Sequence, residues 1–267
     1  MISKEIFDAT KSEYKLWEED ENSILIHYYP AKEKKSDAAI VIFPGGAYVG
    51  RAAHEGVGYA EHFMELGVDS FVVDYRVTPN FFPLPLLDAR RAVRFIRYYA
   101  EKFGIDKNKI AIMGSSAGGH LSAMAATYRE KIDGEDVDEI DNECYLANAQ
   151  ILCYPVISTV DSSIYHEGSV KNLLGEDNLA FAPNVSPELI ADEKTPAAFI
   201  WHTANDGAVN VINSYKYATA LRLNNVSVEM HIFPEGAHGL GLAKDKPDTV
   251  GQWVSLMDNW LKAKNWI

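Results

Sequence analysis

The pentapeptide Gly114-Ser115-Ser116-Ala117-Gly118 follows the apolar run Ile110-Ala111-Ile112-Met113 and opens a helix-period stretch that continues through Tyr128. A G-x-S-x-G pattern where a strand turns into a helix makes Ser116 a candidate nucleophile. A serine on so tight a turn stands clear of the backbone at the carboxyl edge of a sheet, and flanking glycines let strand and helix approach without a Cβ clash. The helix behind it adds amide N–H groups and the positive end of a dipole, which favour negative charge developing near the serine. The same five residues also build inert turns, so the reading depends on partners elsewhere in the chain.

A serine hydroxyl needs a base to take its proton, and the base needs an acid to hold its tautomer. Of the eight histidines, His238 lies in Pro234-Glu235-Gly236-Ala237-His238-Gly239, just past the last expected strand, where a loop can deliver an imidazole to the carboxyl edge. His231 sits inside that strand and reads as a surface position of a pleated face. His120, four residues beyond Ser116 on one helix, points away from the turn. His27, His54, His62 and His166 fall before or far from the expected edge. His202 is the rival, because it ends a strand next to Asp206, although a packed strand-end histidine describes it as well. Asp206 occupies the loop that leaves Trp201-His202-Thr203, and the order Ser116, Asp206, His238 is the one a sheet hydrolase requires. Alone, a loop aspartate is a turn former or helix cap.

Acyl transfer also needs fixed donors for an oxyanion. Ala117, next after the nucleophile, supplies one amide. Pro44-Gly45-Gly46-Ala47-Tyr48 directly follows the strand-like Ile40-Val41-Ile42-Phe43, and its glycines let the amides of Gly46 and Ala47 turn inward. Without Ser116 this would be an ordinary glycine turn.

Those side chains must be carried by a sheet. Strand-like runs at 24–29, 38–43, 69–75, 110–114, 150–154, 197–203 and 226–233 alternate with helix-period segments at 56–66, 84–103, 117–128, 213–224 and 249–262. Such alternation specifies an α/β class: a mostly parallel central sheet with helices on both faces. At 267 residues, 47% apolar and 24% charged, the chain suits a single domain over 1–267. Two segments break the rhythm. The acidic piece 130–143 reads as an exposed excursion. Residues 155–194, rich in Ser, Pro and Asn, exceed an ordinary connection and, following a strand at the ligand-binding edge, form an expected pocket-covering insertion.

A formal charge of −13 argues against a nucleic-acid partner. Arg90, Arg91, Arg94 and Arg97 lie opposite the apolar positions Leu86, Ala89, Val93 and Ile96 of one helix and read as its solvated face. Residues 1–16 carry Lys4, Glu5, Asp8, Lys11 and Glu13 without an apolar core, which reads as neither a signal peptide nor an anchor, and no run is long enough to span a membrane. With Cys144 and Cys153 alone, neither a disulfide framework nor a clustered metal site is expected, and the location expected is cytoplasmic.

Taken together, the P-G-G-x-Y loop at Pro44 to Tyr48, Asp74-Tyr75-Arg76-Val77-Thr78-Pro79, Gly114-Ser115-Ser116-Ala117-Gly118-Gly119-His120-Leu121, His202-Thr203-Ala204-Asn205-Asp206 and Gly236-Ala237-His238-Gly239 resemble the α/β-hydrolase esterases of the acetyl-xylan and feruloyl esterase type, relatives of the hormone-sensitive-lipase group. The likeness runs over roughly 38–261. It implies the α/β-hydrolase fold, Ser116 as nucleophile, His238 as general base, Asp206 as its orienting acid, and Gly46, Ala47 and Ala117 at the oxyanion hole, with no metal or organic cofactor. It also implies that residues 168–175 belong to the segment over the pocket. Two departures stand out. Gly45-Gly46-Ala47 replaces the three glycines of many relatives, so Ala47 must present its amide despite a Cβ, and Asn210 replaces a frequent proline.

The resemblance implies deacylation of short esters, with acetylated sugars or xylo-oligosaccharides as the small-molecule partner. Tyr48 and Trp201, together with Phe81, Phe82 and Tyr165, are candidates for stacking on a sugar, core packing being the plainer role of such rings. Neither nucleic acid nor membrane is an expected partner, and the subunit count stays open, a homo-oligomer included. An amidase, arylformamidase or small peptidase would use the same trio. A non-catalytic binding protein on this scaffold would be expected to have lost one of its members.

Overall fold

The computed structural model describes residues 11–17 and 24–267. The apolar runs become eight strands: β1 Glu13–Lys15, β2 Leu25–Tyr29, β3 Ala39–Phe43, β4 Asp69–Val73, β5 Ile110–Ser115, β6 Ala149–Cys153, β7 Ala197–Thr203 and β8 Val228–Phe233. They form one sheet in the order β1-β2-β4-β3-β5-β6-β7-β8. The pairs β1–β2 and β2–β4 are antiparallel, and every later pair is parallel. This mostly parallel sheet is the one the alternating pattern predicts. The short β1 was not expected, and the reading of residues 1–16 lies, for residues 1–10, outside the described residues.

The helices are α1 Ala53–Leu66, α2 Leu84–Tyr98, α3 Ala100–Phe103, α4 Ser116–Thr127, α5 Glu167–Leu174, α6 Pro187–Ile190, α7 Ile212–Leu223 and α8 Trp253–Ala263. The pleat of β3 shows how both faces are covered: Ala39, Val41 and Phe43 share a core with residues of α2 and α4, whereas Ile40 and Ile42 pack with Tyr59 and Phe63 of α1 and Trp253 and Met257 of α8. Each such fully buried side chain contributes about 1.5–3 kcal/mol of transfer free energy, which is why the central strands read as continuous apolar runs.

Two expectations about the periphery are corrected. Arg90, Arg91, Arg94 and Arg97 are buried rather than solvated. The acidic 130–143 segment folds over α2 and meets three of them: Arg90 pairs with Glu135 at 2.7 Å, Arg91 bonds Asp138 at 2.6 Å and pairs with Asp141 at 3.0 Å, and Arg94 approaches both Glu135 and Asp141 at 3.6 Å, whereas Arg97 donates to the Lys107 and Leu146 carbonyls at 3.1 and 3.0 Å. Arg90 also lies over the Tyr145 ring, 4.0 Å from its centroid. The four guanidiniums form a stripe of one sign at helical spacing, and carboxylates of a nearby segment pair with three of them.

The long 155–194 connection is regular. It contains α5, a 3-10 stretch Glu176–Val185 and α6. It is bonded to the sheet edge through Asn172 Nδ2, which donates to the Ala47 carbonyl at 2.9 Å, and through Thr78 Oγ1, which donates to the Asn172 carbonyl at 3.0 Å. Among the described residues, no helix is long and apolar enough to cross a membrane.

Candidate active site

Ser116 follows β5 with φ of +53°, the left-handed conformation that a tight strand-to-helix turn imposes. The turn tolerates no Cβ on its glycines. One added at Gly118 would stand 2.0 Å from the Phe43 carbonyl oxygen, and one at Gly114 would stand 2.1 Å from the Gly118 carbonyl oxygen. The Ser116 turn is thereby pressed against β3, whose next residues are the Pro44 to Tyr48 loop.

His238 and Asp206 reach Ser116 from the ends of β8 and β7. His238 Nε2 is 2.9 Å from Ser116 Oγ, and His238 Nδ1 is 2.7 Å from Asp206 Oδ2. With a carboxylate at Nδ1, the neutral ring carries its proton there and offers Nε2 as acceptor to the serine hydroxyl. The two loops are joined to each other: Thr203 Oγ1 donates to the Gly236 carbonyl at 2.8 Å, and the Gly236 amide donates to Asn205 Oδ1 at 2.8 Å. Asp206 Oδ1 accepts the amides of Ala208 and Val209 at 2.8 and 3.0 Å, so the loop closes on its own carboxylate. Burial alone would push this carboxyl up, but bonds from His202, His238 and the Val209 amide hold it well below the usual carboxylate range.

The sequence rival His202 is neither distant from this relay nor its base. It is fully buried, with Nε2 2.9 Å from the Val209 carbonyl and 3.3 Å from Asp206 Oδ2, and Nδ1 2.8 Å from Ser214 Oγ. His120 is buried, between the Tyr48 hydroxyl at 2.8 Å and the Val185 carbonyl at 2.8 Å, and burial brings its pKa down to about 4 despite the bond to Val185. His54 and His166, expected away from this edge, are close to it. His54 Nε2 is 2.8 Å from the Gly239 carbonyl. His166 caps α5 through Ser169, and burial together with the charge of His238 lowers its pKa.

The loop after β3 holds Gly46, Ala47 and Tyr48 at φ of +140°, +51° and +59°. Left-handed geometry at the two non-glycine residues costs about 1 kcal/mol or more each, so neighbours must impose it. They do so: the Thr78 amide donates to the Tyr48 carbonyl at 2.8 Å, Asn172 holds the Ala47 carbonyl, and Tyr75 donates to the Pro44 carbonyl at 2.6 Å. The Gly46 and Ala47 amides find no protein acceptor among the described residues. Ala117, in the first turn of α4, also has an amide without an intrahelical acceptor. These three amides are therefore open to an outside acceptor, and Ala47 adopts a conformation that glycine would take freely.

Two proposed sugar contacts are corrected. Trp201 has 0% of its surface exposed and stacks on Trp253 with ring centroids 4.8 Å apart, between sheet and α8. Tyr48 is as deeply buried, edge-on to Tyr75, with its hydroxyl on His120. Neither ring has a face open to a ligand. Phe81 is 38% exposed.

Sequence reasoning missed Glu55. Helix α1 begins at Ala53, three residues before the expected start, and the additional turn places the buried Glu55 beneath the site. Its Oε2 accepts the Gly45 amide at 2.8 Å and its Oε1 accepts the Tyr154 hydroxyl at 2.6 Å. A signal existed: Glu55, Tyr59 and Phe63 recur at four-residue spacing, an acid on the apolar stripe of a helix.

Comparison with known proteins agrees with the motif resemblance. The BD-FAE family model matches residues 25–221. An endo-1,4-beta-xylanase B of Butyrivibrio fibrisolvens is 35% identical over 90% of the chain and 39% of its own length. An acetylxylan esterase of Xylanibacter ruminicola is 31% identical over 86% of the chain and 46% of its own. The chain therefore spans less than half the length of these curated relatives. Among solved structures, an acetyl ester-xyloside bifunctional hydrolase from Caldicellulosiruptor lactoaceticus superposes with a TM-score of 0.89 at 37% identity, covering 96% of this chain and 97% of the other. A thermophilic esterase from Thermogutta terrifontis, at 24% identity and a TM-score of 0.79 over 96% of this chain and 92% of the other, shares the fold.

Proposed function

The chain belongs to the BD-FAE family, and from that premise we propose that it is a serine carboxylesterase that removes short acyl groups, acetyl above all, from sugars or xylo-oligosaccharides. The observation that carries the reading is the continuous relay from Ser116 Oγ through His238, at 2.9 Å, to Asp206, at 2.7 Å. In the proposed reaction Ser116 Oγ attacks the ester carbonyl while His238 Nε2 takes its proton. Asp206 keeps Nδ1 protonated and stabilises the imidazolium that forms. The tetrahedral oxyanion is held by the amides of Gly46, Ala47 and Ala117, donors oriented before the reaction begins. His238 returns the proton to the leaving alcohol, and water repeats the two steps on the acyl-enzyme.

The sugar assignment is supported by the names of the acetylxylan esterase and the acetyl ester-xyloside hydrolase to which the chain is similar. Residues 155–194 are assigned to the cover of the pocket, because α5 is bonded to the oxyanion loop through Asn172. A cytoplasmic location belongs to the same proposal and rests on two free thiols, Cys144 exposed and Cys153 buried.

Acetate release from acetylated xylo-oligosaccharides beside hydrolysis of 4-nitrophenyl acetate, for the protein and its Ser116→Ala variant, tests the proposal. Activity on both that disappears in the variant is the expected result. Hydrolysis of the nitrophenyl ester alone removes the sugar assignment. Activity on neither, with turnover of amides or formanilides instead, replaces the esterase with the amidase reading.

A further inference from the structure

Outside the triad, the most heavily bonded buried acid near Ser116 is Glu55, and nothing in the reaction above uses it. We propose that Glu55 is a positioning residue that ties the oxyanion loop to the loop of His238, with Tyr154 as the intermediate. This inference rests on the serine esterase reading.

The contacts run in one chain. Glu55 Oε2 accepts the Gly45 amide at 2.8 Å, one residue before the amides assigned to the oxyanion. A Cβ built at Gly45 would stand 2.5 Å from Glu55 Oε2 and 3.0 Å from Ser116 Cβ, so the carboxylate, the loop and the nucleophile meet at one point. Glu55 Oε1 accepts the Tyr154 hydroxyl at 2.6 Å. That hydroxyl in turn accepts the Gly241 amide at 3.0 Å, three residues beyond His238, and the Tyr154 ring stands edge-on to the His238 ring with centroids 5.0 Å apart. Tyr154 spends its single proton on Glu55, so in its 3.3 Å contact with Tyr59 the Tyr59 hydroxyl is the donor. Ser115 then donates to Tyr59 at 2.8 Å, and the relay of hydroxyls ends under the nucleophile turn.

Both carboxylate oxygens thus act as acceptors, and the nearest cationic candidate, His54 Nε2, is 3.9 Å away with a 2.8 Å bond to the Gly239 carbonyl. Glu55 lies in the first turn of α1, where the helix dipole favours an anion. Its role is read from what it joins. The Gly45 loop, the Ser115 turn and the Gly241 loop come from the ends of β3, β5 and β8, and Glu55 joins the first directly and the other two through Tyr154 and Tyr59. Misplacing any one changes the distance between nucleophile, base and oxyanion donors, on which the rate depends steeply.

A double-mutant cycle tests this, reading kcat and KM for 4-nitrophenyl acetate and the urea unfolding midpoint in each protein. Glu55→Ala is expected to lower kcat about 100-fold with KM changed less than about threefold. Tyr154→Phe is expected to lower kcat about tenfold, and the double variant should be no slower than Glu55→Ala. Glu55→Gln should recover about tenfold of the Glu55→Ala loss. Its amide oxygen can accept the Gly45 amide while the Tyr154, Tyr59 and Ser115 hydroxyls reverse direction. A kcat within twofold of the parent in Tyr154→Phe and Glu55→Gln, or losses that multiply in the double variant, would overturn the inference. If Glu55→Ala does not fold, those two variants decide by the same criterion. Retained activity in Ser116→Ala would remove the esterase reading itself, whereas an inactive Ser116→Ala beside unaffected Glu55 and Tyr154 variants overturns the positioning role alone.

Discussion

His202 Nε2 lies 3.3 Å from Asp206 Oδ2, the oxygen that also receives His238 at 2.7 Å. The two imidazoles approach one acceptor with different duties. His202 Nε2 faces two oxygens, the Asp206 carboxylate and the Val209 carbonyl, so it carries the proton, and Nδ1 accepts from Ser214. It is a buried support for Asp206, and His238, with 23% of its side chain exposed, is the ring that can meet a substrate. The candidate that looked like a rival base in the sequence is part of the mounting of the acid.

Asp206→Ala is therefore expected to lower kcat about 10³- to 10⁴-fold through loss of the His238 tautomer. The circular dichroism spectrum should be retained, because β7 and α7 do not depend on the carboxylate. The carboxyl is held well below its ordinary range, so the carboxylate persists at mildly acidic pH and the acid limb of kcat/KM belongs to another group. Full activity in this variant would move the orienting role to a different acid.

His202→Leu should lower kcat by less, about tenfold, since it touches no reacting atom. Loss of the bonds to Ser214 and the Val209 carbonyl should reduce unfolding free energy by about 2–3 kcal/mol. A loss of activity as deep as that of Asp206→Ala, at unchanged stability, would instead make His202 a participant in proton transfer.

The sheet and the meeting of Ser116, His238 and Asp206 at its edge were legible because each left a local mark. Continuous apolar runs specify buried parallel strands, and Ser116, Asp206 and His238 stand in short motifs directly after three of them. What escaped depends on which distant segment covers a surface. Nothing in the spacing of Arg90, Arg91, Arg94 and Arg97 distinguishes a wet face from one closed by 130–143, although the opposite charges of the two segments are visible once both are considered. Trp201 and Tyr48 were placed at the opening because aromatic rings suit sugars, but both point into the packed layers. Glu55 was lost with the first turn of α1, whose start lacks a side-chain cap to announce it.

The buried arginine stripe makes a stability prediction. Arg91 and Asp141 have 2% and 1% of their side chains exposed and lie 3.0 Å apart. Arg91→Met leaves Asp141 with the Val137 amide at 2.9 Å and the longer 3.6 Å approach of Arg94 as its one cation among the described residues, and should cost about 3 kcal/mol in urea unfolding. Activity per folded molecule should stay within twofold of the parent, because Arg91 bonds Leu16, Asp138 and Asp141 and none of Ser116, Asp206 or His238. A stability unchanged by the substitution would return these arginines to the solvated face first read from the sequence.

His120 makes the fold sensitive to acid. Its pKa is brought down to about 4 from 6.5, chiefly by burial, so below pH 6.5 the unfolded chain binds a proton that the folded chain refuses. Its contribution is fully present above pH 6.5 and is lost progressively as the pH falls toward 4. The stability should fall by about 3 kcal/mol over that window. His120→Gln keeps an acceptor for Tyr48 and a donor for the Val185 carbonyl without a titrating ring, and should flatten this part of the profile. Parallel curves of stability against pH for the two proteins would place the acid sensitivity elsewhere.

Asn172 connects the 155–194 segment to the chemistry by one bond, Nδ2 to the Ala47 carbonyl at 2.9 Å. Ala47 is held at φ of +51°, and the peptide that follows it turns on the oxygen that Asn172 grips. Asn172→Ala removes the donor without disturbing the packing of Val170, Leu173 and Leu174, which lie on the buried side of α5. The loop should then relax away from its strained conformation, and kcat should fall about tenfold while KM changes little, since the lost geometry concerns the oxyanion more than the bound ester. Adding Ala47→Gly to this variant should deepen the loss, because glycine leaves the loop freer still. A rise in KM at constant kcat would show that Asn172 serves substrate binding and that the oxyanion loop holds its shape without it.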